Sequence, residues 1–246
     1  MQMHERYLRL IKSEGITPAT KVDDIGSTGV HSLFTVEGGG GLFAESPELE
    51  FLHKSGLRVL GLAWDKNELA ASSNEQGDQD YGLTEKGRLL VQKCNEMKII
   101  IDVSHLSDRG FWDLCDIEGA RIVATHSNFR SVCDHGRNLT DAMACALRDK
   151  DGIIGINLYP PHLCVSGEAE IYDVIKHVDF GLSLLGEDFI ALGLDIDGTG
   201  GKYPNGLGES ERIHEKTVNA LLSEYSERVV RKIAGENALR FLASNL

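Results

Sequence analysis

Six short apolar runs recur along the chain, and five of them deliver a polar or ionisable side chain at or near their C-terminal end. The runs are HSLFTVEG (31–38), LRVLGLAW (57–64), KIIIDVSH (98–105), RIVATHS (121–127), GIIGINLY (152–159) and FIALGLDIDG (189–198). They are apolar over consecutive residues rather than alternating, which suits parallel strands covered on both faces. Helical signals separate them. Ser46-Pro47 opens a helix that Gly56 closes, Thr84 opens one running to about Met97, and Thr140 opens one ending near Gly152. The IYDVIKHVDFGLSLLG segment has helical spacing, and the tail from about 214 to 243 reads as helix. This is the β/α alternation of a parallel sheet or barrel. The strand-end residues Glu37, His105, His126, Asn157 and Asp195 decide between the two. In a (β/α)₈ barrel such ends converge on one face, whereas in a doubly wound sheet they fan out along a line.

The chain of 246 residues is read as one domain, and its 41% hydrophobic content suffices for a large core. The 25 basic and 38 acidic residues give a formal charge of −13, which argues against nucleic acid and anionic membrane surfaces as partners. Five cysteines, odd in number and never spaced CxxC, read as reduced thiols of a cytoplasmic protein. No apolar run approaches the length of a membrane span.

Candidate chemistry follows from the strand ends. A lone strand-end histidine is more often structural, but His105 and His126 lie on successive strands, with Glu37 and Asp195 on others. Imidazole and carboxylate together suit Zn²⁺ or a similar divalent ion. Asp195 is placed to accept a proton from a metal-activated water, while its neighbour Asp197 reads as a loop cap. The VEGGGG stretch (36–41) lacks the ending of a phosphate loop, so its glycines read as space beside a ligand. Arg130 and Arg137, in HSNFRSVCDHGRNLTD (126–141), are both candidates to clamp a substrate carboxylate. His135, beside Asp134, reads as exposed. His4, His53, His177 and His214 fall in helix-like segments and carry no assigned role, and Cys133 and Cys164 have no base in an evident motif.

The segments DVSHLSDRGFWDL, THSNFRSVCDHGRNLTD, IIGINLYPP and ALGLDIDG, with the closing GENALRFL, resemble the membrane (renal) dipeptidase family, the M19 metallopeptidases, and more closely its bacterial cytosolic branch. The resemblance implies a (β/α)₈ barrel of the metal-dependent hydrolase type that cleaves dipeptides with two zinc ions through metal-activated water. By motif position it makes Glu37 the metal-bridging carboxylate, His105 and His126 ligands of one metal, Asp195 the acid/base residue, and Arg137 the substrate-carboxylate arginine.

The chain departs from the family pattern in one main respect. The family's first strand carries a His-x-Asp pair for the other zinc, and no HxD occurs here on a leading strand: the HVD at 177–179 lies in the helix-like IYDVIKHVDFGLSLLG segment, well after the matched histidines. Strands three to eight are therefore expected to be present and the first two missing, roughly 60 residues at about 30 per β/α unit. One zinc site is expected to be mostly intact, and a dimer or the N-terminal helix around residues 4–13 is expected to cover the open edge. Trp64 stands where the mammalian enzymes have histidine, and Leu194 and Ile196 flank Asp195 where the family more often shows other residues. The expected function is a zinc dipeptidase acting on small dipeptides. An impaired remnant that binds one metal or a peptide without turnover is the alternative, and a hydrolase of cyclic amides is a third reading.

Overall fold

Parallel pairing organises the structure, a computed structural model that describes residues 2–25, 29–208 and 212–246. In chain order the elements begin with α1 (Gln2–Ser13), β1 (Thr17–Pro18), β2 (His31–Ser32), β3 (Phe34–Val36), α2 (Pro47–Lys54) and β4 (Leu57–Gly61). They continue with α3 (Glu85–Glu96), β5 (Ile100–Asp102), α4 (Asp108–Cys115), β6 (Ile122–Val123), α5 (Asp141–Asp149), β7 (Ile154–Ile156), α6 (Pro160–Leu163), α7 (Ile171–Leu185) and β8 (Ile190–Leu192). Helices α8 (Ile213–Glu224), α9 (Glu227–Arg231) and α10 (Asn237–Asn245) complete the chain. β1 pairs with β2, and β3 to β6 form a four-stranded sheet in sequence order. A bridge between Ala124 and Ile154 carries the order on to the β7–β8 pair. Every strand pair is parallel. Among the described residues no pairing joins β8 back to β1.

The expected helix starts at Ser46, Thr84 and Thr140 form as their sequences dictate, each residue capping its helix by accepting the backbone N–H three residues on, and Ser107, not among those expected, caps α4 in the same way. Two differences stand out. β1, a two-residue strand, was not expected, because a Thr-Pro pair carries no apolar run. The tail is not one helix: Ser226 starts α9 afresh and a π-helical turn at Lys232–Glu236 precedes α10.

Strand alternation splits the apolar residues into two layers. Leu60, Ile99, Ile101, Ile122, Ile154 and Ile190 join the large core beneath the helices. Val59, Ile100, Val123, Ile153 and Ala191 point to the concave side and form a second cluster with Phe241 of α10. The N-terminal and C-terminal helices take different surfaces. α1 packs His4 and Tyr7 against Phe34, with ring centroids 5.1 and 5.0 Å apart, whereas the concave face is filled by α10. Asn237 anchors that helix by donating from Nδ2 to the carbonyls of Glu187 and Ile190, both at 2.7 Å. Around Thr125 the packing leaves no room for a side chain, since a Cβ on Gly155 or Gly193 would collide with the Thr125 carbonyl.

Phe241→Ala is expected to destabilise the protein by about 3 kcal/mol, because it empties a buried aromatic position. Leu239→Ala, on the exposed side of α10, is expected to stay within about 0.5 kcal/mol. Equilibrium urea denaturation of the two variants checks this, and equal losses would contradict the placement of α10.

Candidate active site

The C-terminal ends of β3, β5 and β6 bring Glu37, His105 and His126 to one point. His105 Nε2 lies 2.9 Å from Glu37 Oε1, His126 Nε2 lies 3.3 Å from the same oxygen, and the two Nε2 atoms are 3.1 Å apart. Donors about 2.0–2.1 Å from a tetrahedral zinc stand about 3.3 Å from one another, so the three atoms have the spacing of one face of such a site.

A hydrogen-bond network determines which atoms face that point. Asp102, the last residue of β5, accepts from the backbone N–H and hydroxyl of Ser104 at 3.0 and 2.7 Å. It also accepts from the backbone N–H and hydroxyl of Thr125 at 3.0 and 2.5 Å. With its proton given to Asp102, the Thr125 hydroxyl must accept from His126 Nδ1, 2.8 Å away. The network thus assigns the Nδ1–H tautomer and leaves the Nε2 lone pair facing Glu37. Two lone pairs 3.3 Å apart repel unless a cation lies between them. Burial lowers the pKa of His105 and keeps its imidazole neutral, and the hydrogen bond from His105 is the largest influence that holds the Glu37 carboxyl well below the usual carboxylate range. Neutral imidazoles and an ionised carboxylate are the protonation states that a divalent ion requires.

The other expected residues line the same cavity of about 410 Å³, which includes Glu37, His105, Asp195, Arg137 and Trp64. Asp195 sits in the left-handed region at φ 51°, and Asn157 Nδ2 donates to its carboxylate at 3.4 Å. A Cβ on Gly198 would collide with that carboxylate, so the glycine allows Asp195 to fold back into the site. Arg137 is buried, and its Nη1 has no hydrogen-bond partner. Burial pushes its pKa down to about 10, against the opposing field of Asp102, Glu37 and Asp195. A buried guanidinium at the wall of this cavity with an unused donor is a favourable partner for a carboxylate. Trp64 is 61% exposed, with its ring centroid 6.1 Å from that of His105.

Arg130, the other arginine candidate, is committed elsewhere. It forms a two-pronged ion pair with Asp108 at 2.6 and 2.7 Å and donates to the Asn138 carbonyl at 3.0 Å. His135 was expected to be exposed; it is instead partly buried, lining the cavity with its ring 4.6 Å from that of His162. The Ser104–Asp102–Thr125 network was not anticipated, although DVSH and ATHS place its members one to three residues before the ligands. His177 is fully buried between the Phe129 N–H and the Leu163 carbonyl, a structural histidine. Asp197 is exposed.

Comparison with known proteins agrees with this arrangement. The family model for membrane dipeptidases, peptidase family M19, matches residues 2–245. An uncharacterized protein from the pqqA 5′ region of Klebsiella pneumoniae is 33% identical over 217 residues, covering 84% of this chain and 79% of its own. The dipeptidase aclJ of Aspergillus oryzae is 28% identical over 236 residues, 92% of this chain, which spans 56% of that enzyme's length. A metallopeptidase from Rhodobacter sphaeroides, solved with a phosphinate mimic of the dipeptide L-Ala-D-Ala, superposes with a TM-score of 0.89 at 29% identity. It covers all of this chain, and 73% of its own length is matched. The fold is the α/β, TIM-barrel type of these enzymes, and the chain belongs to peptidase family M19, the membrane dipeptidases.

Proposed function

We propose that this protein hydrolyses dipeptides using one zinc ion held by Glu37, His105 and His126. The observation that carries this reading is a three-donor metal face, two of whose members, Glu37 and His105, line the cavity that also holds the buried Arg137 with its unpartnered Nη1. The cavity volume of about 410 Å³ is in the range of small-molecule sites rather than clefts for long peptides.

Each of the chain's own residues has a separate task. Arg137 binds the substrate's terminal carboxylate, and the low dielectric around it strengthens that pairing. Anchoring this end points the scissile carbonyl toward the Glu37–His105–His126 face. A divalent ion held there supplies Lewis acidity and brings the pKa of water toward neutrality. Asp195 holds the proton released as water attacks the carbonyl and passes it to the departing amine. Asn157 keeps the Asp195 carboxylate turned into the cavity. Trp64 shields the His105 side of the cavity from solvent.

Dialysis against a chelator is expected to abolish hydrolysis of Ala-Ala, and about one equivalent of Zn²⁺ per chain is expected to restore it. A chelated protein that retains full turnover, or a zinc-loaded one that shows none, would overturn the reading.

Arg137→Lys is expected to lower kcat/KM for dipeptides at least about tenfold, because a point charge cannot reproduce the two-pronged contact, a charged hydrogen bond of about 1.5–3 kcal/mol. Zinc binding is expected to be retained. Steady-state kinetics check this, and an unchanged kcat/KM would assign the carboxylate contact to another group.

A further inference from the structure

We propose that His135 and His162 form a second acceptor-binding subsite beside Arg137, selecting dipeptides whose C-terminal residue carries a carboxylate side chain, aspartyl or glutamyl. This rests on the dipeptidase reading and specifies its substrate class.

The two imidazoles line the cavity that also includes Arg137, Glu37, His105 and Asp195, and their ring centroids are 4.6 Å apart at 50°. Their orientation is held by the surrounding structure. The Arg137 backbone N–H donates to His135 Nδ1 at 3.1 Å, so a neutral His135 carries its proton on Nε2 and offers a donor there. That bond also joins the imidazole to the residue that binds the α-carboxylate. The His162 carbonyl accepts from Asn138 Nδ2 at 2.8 Å and from Asn128 Nδ2 at 3.4 Å, which ties α6 to the loop carrying Arg137. The His162 ring stands edge-on to Tyr159, with centroids 4.9 Å apart.

The charge around these rings favours an anion. Burial, followed by the positive field of Arg137, pushes the pKa of His162 down to about 3, so at neutral pH it is an uncharged ring with one N–H to donate. Burial and the charges of Arg137 and Arg130 also lower His135, with only Asp134 opposing. The carboxylates lining the cavity, Glu37 and Asp195, belong to the metal face and the proton-transfer position. The wall formed by Arg137, His135 and His162 therefore has donors and positive charge but no carboxylate of its own among its cavity-lining residues. A substrate carboxylate one or two carbons from the anchored end would supply the missing acceptor, whereas a lysyl side chain would meet the Arg137 charge.

The test is kcat/KM of the zinc-loaded protein for Ala-Asp, Ala-Glu, Ala-Ala, Ala-Leu and Ala-Lys, with the C-terminal residue in both configurations. In parallel, calorimetric binding of the same dipeptides is measured. Ala-Asp or Ala-Glu is expected to exceed Ala-Ala at least about tenfold, with Ala-Lys the poorest. His162→Leu is expected to cut the Ala-Asp to Ala-Ala ratio about tenfold, and His162→Gln, which keeps an N–H donor, to restore most of it. Hydrolysis of Ala-Ala with no acidic preference in the unmodified protein would overturn the subsite and leave the dipeptidase reading standing. Tenfold tighter binding of the acidic dipeptides without hydrolysis would support the subsite and overturn that reading. Binding of none of them would overturn the subsite, and this series decides the matter even if the variants fail to fold.

Discussion

The Asp102 carboxylate holds the site together. It ends β5, yet two of its four hydrogen bonds come from Thr125, just past β6, and two from Ser104 in the turn that leads to His105. A carboxylate that accepts four donors fixes two strand ends relative to each other, and it fixes the two histidines that follow them. The 3.1 Å separation of the imidazole nitrogens is a consequence. So is the tautomer of His126, because a Thr125 hydroxyl donating to Asp102 can only accept from Nδ1. The protein's own hydrogen bonds therefore hold the three donor atoms in place, which lowers the reorganisation that binding a metal would require.

The site residues were legible in the sequence to the extent that they obey the geometry of a parallel sheet. Glu37, His105, His126 and Asp195 each follow an apolar run, and the C-terminal ends of such strands share one face. Residue pattern alone left Arg137 as one of two arginines in a loop, and only the resemblance singled it out; in space the two differ, since Asp108 occupies Arg130 whereas Arg137 Nη1 has no partner. His135 was misread because Asp134 and Gly136 give it the local signature of a solvated turn. Its burial comes from packing against His162, 27 residues away, and no local pattern records that contact. Ser104, Thr125 and Asp102 were hidden for a related reason, since short polar residues at strand ends usually cap or turn the chain.

The fold shows the same division between local and long-range information. Caps at Ser46, Thr84 and Thr140 were readable because each helix start is satisfied within three residues. The role of α10 was not, because its amphipathic pattern cannot say which surface it covers. That surface is the concave side of an open sheet, where Phe241 meets Val59, Ile100, Val123, Ile153 and Ala191. A buried aromatic from the C-terminal helix thus closes the apolar layer below the polar face that carries the site. The chain's match to 73% of the Rhodobacter metallopeptidase, at a TM-score of 0.89, shows that this arrangement keeps the family's fold over all the residues compared.

The central claim, that Glu37, His105 and His126 hold one divalent ion, is tested most directly by anomalous diffraction from crystals of the zinc-loaded protein. The account predicts one strong zinc peak about 2.0–2.2 Å from Glu37 Oε1 and from the Nε2 atoms of His105 and His126. A peak bound through other residues, or no ordered zinc at that face, would contradict it.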